Sequence, residues 1–422
     1  MAKFTFVFVE MGQGDCTMVK CPDGKIVVVD CGYTTGVWND PNAYIEAYLL
    51  LRTPEWAGGN NNKINALILT HPDADHHNKV LSFFNAAAWN GAITLPSNNN
   101  VVQDPTGGKI NIDAIYISSA YGDDSPMGNY TGGALGANVC NHYFGTNLIY
   151  EFTINNPANR GNFLRRWIKA DNFNNPTSGG QIEVFLQKMS ILSGNTGGQD
   201  WKISVIAGNV PKGYGNVQDG ATEDNAKSLI TLFEVGNRKA LLCGDATLST
   251  ERFLLDAHTA LIQNVDLVMV PHHGSAYASG QNFVQNVNPI AGVVSVGFLE
   301  HSYRLPRYTA VLERWLECIE ARNAADPLLP HDIDYWYACT DQQVTDKYNE
   351  WTNNNTDLSR VDSNPSGNFW YLKNPVSGSD YGIYRLLNSG MLLFRENVTS
   401  HLTMTAQKTQ VYELSENGVV YL

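Results

Sequence analysis

A layered α/β protein is the class that this 422-residue sequence predicts, and three observations predict it. Apolar and β-branched runs recur at strand length, the stretch 228–270 reads strand, strand, helix, strand, and hydrophobic residues make up 43% of the chain. Such a composition supports one large core or two ordinary ones and excludes a disordered or fibrous chain. Lys and Arg total 28 against 41 Asp and Glu, a net charge of −13. A surface of that sign repels polyanions, so a phosphate-bearing substrate must be drawn in by a local feature such as a metal ion.

The elements follow in order. Residues 3–9 (KFTFVFV), then CTMVK, the turn Pro22-Asp23-Gly24 and KIVVVDCG predict an opening hairpin or meander. Residues 42–54 fit a helix, and INALILT (64–70) is an apolar run of strand length ending at His71. From about 90 to 225 the chain is dense in Asn, Gly, Ser and Pro, with islands at 112–118 and 201–207 and a helix expected near 161–170; these residues are expected as insertions. SLITLFEVG (228–236) and KALLCGD (239–245) are strands, a helix capped near Ser249 carries Glu251 in its first turn, and VDLVMV (265–270) is a strand. Apolar residues Tyr308, Val311, Leu312, Trp315, Leu316 and Ile319 follow helical spacing and predict one buried face. The expected division is a main domain over 1–322 and a C-terminal extension or small accessory domain over 323–422.

Seven scattered cysteines without a C-x-x-C pair argue against a disulfide framework or a thiolate zinc site. The N-terminal stretch lacks a signal-like apolar region and the chain lacks a run of about 20 apolar residues, so a cytoplasmic protein without a membrane partner is expected.

Three segments carry the chemistry. HPDADHH (71–77) sets His71, Asp73, Asp75 and His76 on one tight loop, and carboxylates crowded this closely repel unless a cation sits among them. Alternation in an extended segment lets such a loop serve two neighbouring metal centres. The competing reading is a polar loop whose Asp residues cap a helix starting near Asn78. LLCGDA (241–246) delivers Asp245 at the end of an apolar strand, and VMVPHHGS (269–276) places His272 and His273 after another. Taken singly, Asp245 is a turn residue and the paired histidines are weak evidence; together, three strand ends each carry ligand-type side chains.

Those motifs, with EMGQGDC (10–16), VVDCG (28–32) and DNAKS (224–228), resemble the metallo-β-lactamase superfamily over about residues 4–310. Within it they are similar to the soluble domain of ComEC-type DNA-internalisation proteins. The resemblance implies an αββα sandwich with metals at one edge of its paired sheets, and a hydrolase using one or two Zn²⁺ or Mn²⁺ ions. Carried over, His71 and Asp73 hold one metal, Asp75 and His76 the other, and Asp245 bridges them. Asp15, Asp30, Asn225 and Ser275 support those loops from behind. His272 or His273 either approaches the metals or assists proton transfer, and Asp75 orients the attacking water. Relatives usually place a last ligand His before a Pro, where this chain has Leu305 before Pro306; His301 is the nearest substitute, and His142 is a further candidate more in keeping with a surface residue.

A metal lowers the pKa of a bound water to roughly 7, which supplies hydroxide at neutral pH. Phosphodiester hydrolysis fits best, on a small phosphodiester or single-stranded nucleic acid, because bound metals would screen phosphate charge locally and the resemblance points the same way. Arg160, Arg165, Arg166 and Lys169 form the one compact basic cluster, more in keeping with a solvated helix face than a phosphate clamp, and the absence of a long basic stripe favours a small substrate over extended DNA. Alternatives are hydrolysis of a lactone, β-lactam or thioester, and a non-catalytic module with an impaired second metal site. In that module the aromatic C-terminal segment (Trp336, Trp351, Trp370, Tyr371) would bind a protein partner.

Overall fold

The computed structural model describes residues 1–34, 63–80, 93–94, 101–102, 111–118, 148–154, 162–169, 182–186, 189–296, 311–325, 335–339, 369–373, 380–386, 391–396, 402–405 and 409–422. In chain order the strands begin with β1 (Lys3–Phe8), β2 (Thr17–Lys20), β3 (Ile26–Val29), β4 (Lys63–Ile64), β5 (Ala66–Leu69), β6 (Ile93–Thr94), β7 (Val101–Val102) and β8 (Asn111–Ile112). They continue with β9 (Ile115–Ile117), β10 (Leu148–Ile154), β11 (Asn162–Lys169), β12 (Ile182–Leu186), β13 (Met189–Thr196), β14 (Gln199–Ala207), β15 (Ile230–Val235), β16 (Arg238–Leu242), β17 (Leu267–Met269) and β18 (Ala291–Val294). The last are β19 (Tyr335–Cys339), β20 (Phe369–Lys373), β21 (Asp380–Leu386), β22 (Met391–Glu396), β23 (Leu402–Met404), β24 (Gln410–Ser415) and β25 (Gly418–Tyr421). The described helices are α1 (Ala74–His77), α2 (Glu223–Ala226), α3 (Leu248–Ala257), α4 (Thr259–Ile262), α5 (Gln281–Val287) and α6 (Glu313–Ala325).

Two mixed sheets form the core. One has ten strands in the order β12-β11-β10-β9-β5-β3-β2-β1-β24-β25, the other seven in the order β13-β14-β15-β16-β17-β18-β23. Alternation decides which side chains meet between them. Phe4, Phe6, Val27 and Ile68 of the first sheet share one buried cluster with Ile203, Phe233, Leu242 and Met269 of the second. Phe233 stands edge-on to Phe4 and Phe6 with ring centroids 5.6 and 5.1 Å away, and Trp201 meets Phe4 at 5.7 Å. The opposite face of the seven-stranded sheet, through Leu232, Leu241, Val268 and Val294, packs against Phe253 and Leu254 of α3, Phe283 and Val284 of α5, and Trp315 and Ile319 of α6. The fold is therefore a mixed α/β sandwich, with helices layered on the seven-stranded sheet.

The opening meander is as the alternation predicts, β1-β2-β3 antiparallel with Gly24 at φ 85° in the turn. Elsewhere non-local pairing overrides local pattern. Residues 162–169 form β11, paired antiparallel to β10 and β12, where helical spacing predicts a helix; the helix face expected to carry Arg165, Arg166 and Lys169 does not form. The helix expected to be capped near Ser249 has its N-cap two residues earlier, at Thr247, and it breaks at His258 into α3 and α4. β13 and β14, within the stretch expected as insertions, belong to the seven-stranded sheet. β23 pairs parallel with β18 and β24 pairs antiparallel with β1, so these late strands contribute to both sheets of the sandwich. In the sequence between β18 and β23, the strands β19, β22, β21 and β20 form a separate four-stranded sheet. The helix expected over 42–54 lies outside the described residues. Among the described residues no helix is long and apolar enough to cross a membrane.

Candidate metal centre

Every chemistry-bearing loop leaves its sheet at the same edge. Asp30 follows β3, His71 follows β5, Asp245 follows β16, the two histidines follow β17, and Ser295 follows β18, while Asp15 sits just ahead of the antiparallel β2. Two glycines permit the loops to close on one another. Gly244, at φ 47°, leaves room for Thr70: a Cβ there would lie 2.8 Å from the Thr70 side chain. A Cβ on Gly32 would overlap the backbone of Asp75 and His76. Backbone bonds from Cys31 N to His76 O (2.8 Å) and Asp15 N to Asp75 O (3.0 Å) then fix the HPDADHH loop, with α1 spanning Ala74–His77.

Three buried imidazoles share one design. Each has its Nδ1 engaged with the protein: His76 with Asp30 Oδ2 at 2.8 Å, His273 with the Ser295 carbonyl at 2.8 Å, and His71 with the hydroxyls of Thr70 and Ser228, both at 3.2 Å. Each has its Nε2 buried without a hydrogen-bond partner. These three nitrogens face the Asp245 carboxylate: His76 and His273 lie 3.3 and 3.2 Å from Oδ1, and His71 lies 3.7 Å from Oδ2. Asp245 Oδ1 is likewise buried and unpartnered, whereas Oδ2 accepts from Asn225 Nδ2 at 3.0 Å.

Asp73 approaches His71 Nε2 at 3.5 Å, and Asp75 approaches His273 Nε2 at 3.8 Å. His272 Nε2 lies 3.6 Å from Asp245 Oδ2 and 3.1 Å from Asn225 Nδ2. Since that amide donates to Asp245, its second hydrogen meets His272 Nε2 as an acceptor. Asp15, 1% exposed, faces the Nδ1 sides of His76 and His273 at 3.7 and 3.6 Å. Ser275 is buried and donates its amide to the His272 carbonyl at 2.7 Å. His77 points away, its Nε2 bonded to the Pro72 carbonyl at 2.9 Å.

The electrostatics are those of a cation site holding protons. Burial opposes charging of His76 and His273, but Asp245 with Asp30, and Asp245 with Asp15, outweigh it and raise both above the ordinary histidine range. Burial alone would raise Asp245; the surrounding His273, His76 and His272 hold it well below the carboxylate range. Asp15 is pushed up to about 6, burial prevailing over its histidine neighbours. His272 is lowered, chiefly by burial.

This donor set fits a divalent metal. Orphaned imidazole Nε2 atoms and a carboxylate oxygen converge, each imidazole is oriented from behind, and Asp15, His76, Asp245 and His273 offer ligand atoms all within 4.8 Å of one another. Of the residues expected from sequence, the structure brings together His71, Asp73, Asp75, His76, Asp245, His272 and His273, with Asp15, Asp30, Asn225 and Ser275 around them. His301, Leu305 and His142 lie outside the described residues. His273 occupies a ligand-type position beside Asp245 that sequence alone left undecided. The Thr70 hydroxyl and the Ser295 carbonyl were not foreseen; Ser228 stood inside DNAKS without an assigned role.

Residues 9–87 match the family model of the metallo-beta-lactamase superfamily, which supports that superfamily over the segment bearing HPDADHH. Similar solved structures include YhfI of Bacillus subtilis, a metallo-beta-lactamase fold protein, at 9% identity and TM-score 0.33, covering 69% of this chain and 85% of that one. Human tRNase Z, short form, shows 10% identity and TM-score 0.31 over 69% of this chain and 91% of that one. CmlA of Streptomyces venezuelae, a diiron beta-hydroxylase, shows 12% identity and TM-score 0.36 over 75% of this chain and 51% of that one. No curated protein matches the chain.

Proposed function

We propose that this chain is a metallo-β-lactamase-fold hydrolase that cleaves phosphodiesters, in keeping with the ComEC-type resemblance of its motifs. One observation carries the metal reading: three buried histidines with Nδ1 tied to the protein and Nε2 unpartnered, arrayed around Asp245. His76, His273 and Asp75 would hold one ion at the Oδ1 side of Asp245; His71 and Asp73 lie toward Oδ2 for a second. Zn²⁺ or Mn²⁺ there supplies Lewis acidity, acidifying water and screening phosphoryl charge that the −13 chain would otherwise repel.

The protein's own groups do the remainder. Asp30, Thr70, Ser228 and Ser295 orient the imidazoles, Asn225 holds Asp245 and His272 in mutual register, and Asp75, 27% exposed, accepts a proton at the open side. His272, 14% exposed, would assist proton transfer at the leaving oxygen, the role its motif suggests. The test is a screen of bis(p-nitrophenyl) phosphate, single-stranded DNA and a lactone with added Zn²⁺ or Mn²⁺, using wild type and Asp245→Ala. Phosphodiester turnover abolished by the substitution is expected. Lactone turnover alone would overturn the substrate class, and a wild-type protein that retains no metal would overturn the reading as a whole.

A further inference from the structure

Eight non-glycine residues among those described have positive φ. Four are asparagines, which tolerate the left-handed region; the others are Asp30, His272, His273 and Ser279. The first three belong to the metal centre. Ser279 does not touch it, yet it is held on every side: its amide donates to Glu251 Oε1, its carbonyl accepts from Arg314, and its hydroxyl accepts from Trp315 Nε1 at 2.8 Å. Glu251 is 2% exposed and takes the next amide as well, Gly280 N to Oε2 at 2.8 Å.

We infer that Glu251 is a positioning residue for the His272–His273 turn, gripping it through Ser279 and Gly280 and locking it to the helix that follows Asp245. The inference rests on the metal-centre reading. The links are continuous. His272 N donates to Gly244 O (2.9 Å), Ser275 N to His272 O (2.7 Å), Ala278 N to Ser275 O (3.1 Å), and Leu248 N to Tyr277 O (3.0 Å). Two consecutive left-handed histidines persist only where surrounding contacts over-determine them. Glu251 is an expensive way to cap a loop for stability alone, since burial pushes its carboxyl up to about 8 despite two amide donors.

Full-length protein is loaded with Co²⁺, and its visible spectrum and its retention against a competing chelator are compared with Glu251→Gln and Gly280→Ala; urea midpoints are measured in parallel. Glutamine keeps the shape but, in either orientation of its amide, turns an NH2 that can only donate toward one of the two backbone amides. A Cβ at Gly280 would sit 3.0 Å from Glu251 Oε2 and 3.2 Å from Leu248 Cδ2, wedging the contact without changing charge. Expected are an altered Co²⁺ spectrum and about tenfold weaker retention for Glu251→Gln, with a smaller change in the same direction for Gly280→Ala. If Glu251→Gln does not fold, Gly280→Ala decides. Wild-type spectrum and retention in the folded variants, whatever their stability, overturn the role of Glu251 alone. A wild-type protein that takes up no Co²⁺ overturns the metal reading, and this inference with it.

Discussion

Gly32→Ala is the sharpest mechanical test of how the site is assembled. The new Cβ would fall on the Asp75 carbonyl and the His76 amide, far inside the 3.0 Å that Cβ atoms respect. All of the overlapping atoms are backbone, so no side-chain rotation relieves the clash. The HPDADHH loop must therefore retreat by more than about 1 Å, a misplacement that at a reacting centre costs on the order of 100-fold. The retreat strains the bonds from Cys31 N to His76 O and Asp15 N to Asp75 O and withdraws His76 Nε2 from Asp245, which it now approaches at 3.3 Å. The sandwich core between Phe4, Phe6 and Phe233 is untouched by this change. The assay pairs metal stoichiometry by elemental analysis with thermal unfolding. We expect a folded protein that has lost at least one metal equivalent; full stoichiometry and full turnover in Gly32→Ala would refute the proposed packing of these loops.

Two further predictions concern charge. Asp30→Asn removes a carboxylate that accepts from Thr70 N and Oγ1, both at 2.7 Å, and from His76 Nδ1 at 2.8 Å; a loss of about 2–4 kcal/mol and of about 10- to 100-fold in metal affinity is expected by urea unfolding and chelator competition. Because His76 and His273 are raised above the ordinary value of 6.5, metal uptake releases protons from them at a pH below their folded values, read from the buffer dependence of binding enthalpy. The sign follows: the raised histidines stabilise the metal-free protein fully below pH 6.5 and less as pH climbs through their folded values, while apparent metal affinity rises over that window. The metal-induced gain in Tm must therefore grow with pH, and a gain that shrinks would contradict the assignment of these two residues.

The ligand motifs were legible because each is contiguous and follows a recognisable apolar strand: HPDADHH after Ala66–Leu69, Asp245 after Arg238–Leu242, the paired histidines after Leu267–Met269. Their supports were legible only in part. Asp30 and Asn225 sit in short motifs, but the Ser295 carbonyl is a backbone group on a third strand, and nothing in its residue type announces it. Glu251 reads locally as a first-turn acid suited to the helix dipole; its actual partners lie 28 and 29 residues onward. Pairing at long range was hidden for the same reason. Phe4 lies opposite Leu414, and Arg165 opposite Phe152 and Glu183, so strand membership in β11 and β24 depends on neighbours that local periodicity cannot see.

Crowding Asp15, Asp30 and Asp245 among three imidazoles looks self-defeating for a chain of net charge −13, yet the arrangement contains its own remedy. Without a metal, His76 and His273 hold protons and act as the counter-charge to Asp245, whose carboxyl they keep ionised. A divalent ion held by His76 and His273 would take the place of those protons on imidazoles whose planes are already fixed through Nδ1 by Asp30 and Ser295. Preorganisation and charge compensation without a metal are thus served by the same contacts, and the cost of assembling like charges is offset by exchangeable cations rather than by the sandwich core. A site built this way gains affinity as pH rises, because His76 and His273 lose their protons and Asp15, raised to about 6, becomes ionised. It loses affinity through any change that frees an Nδ1 atom, even where every ligand atom is left in place.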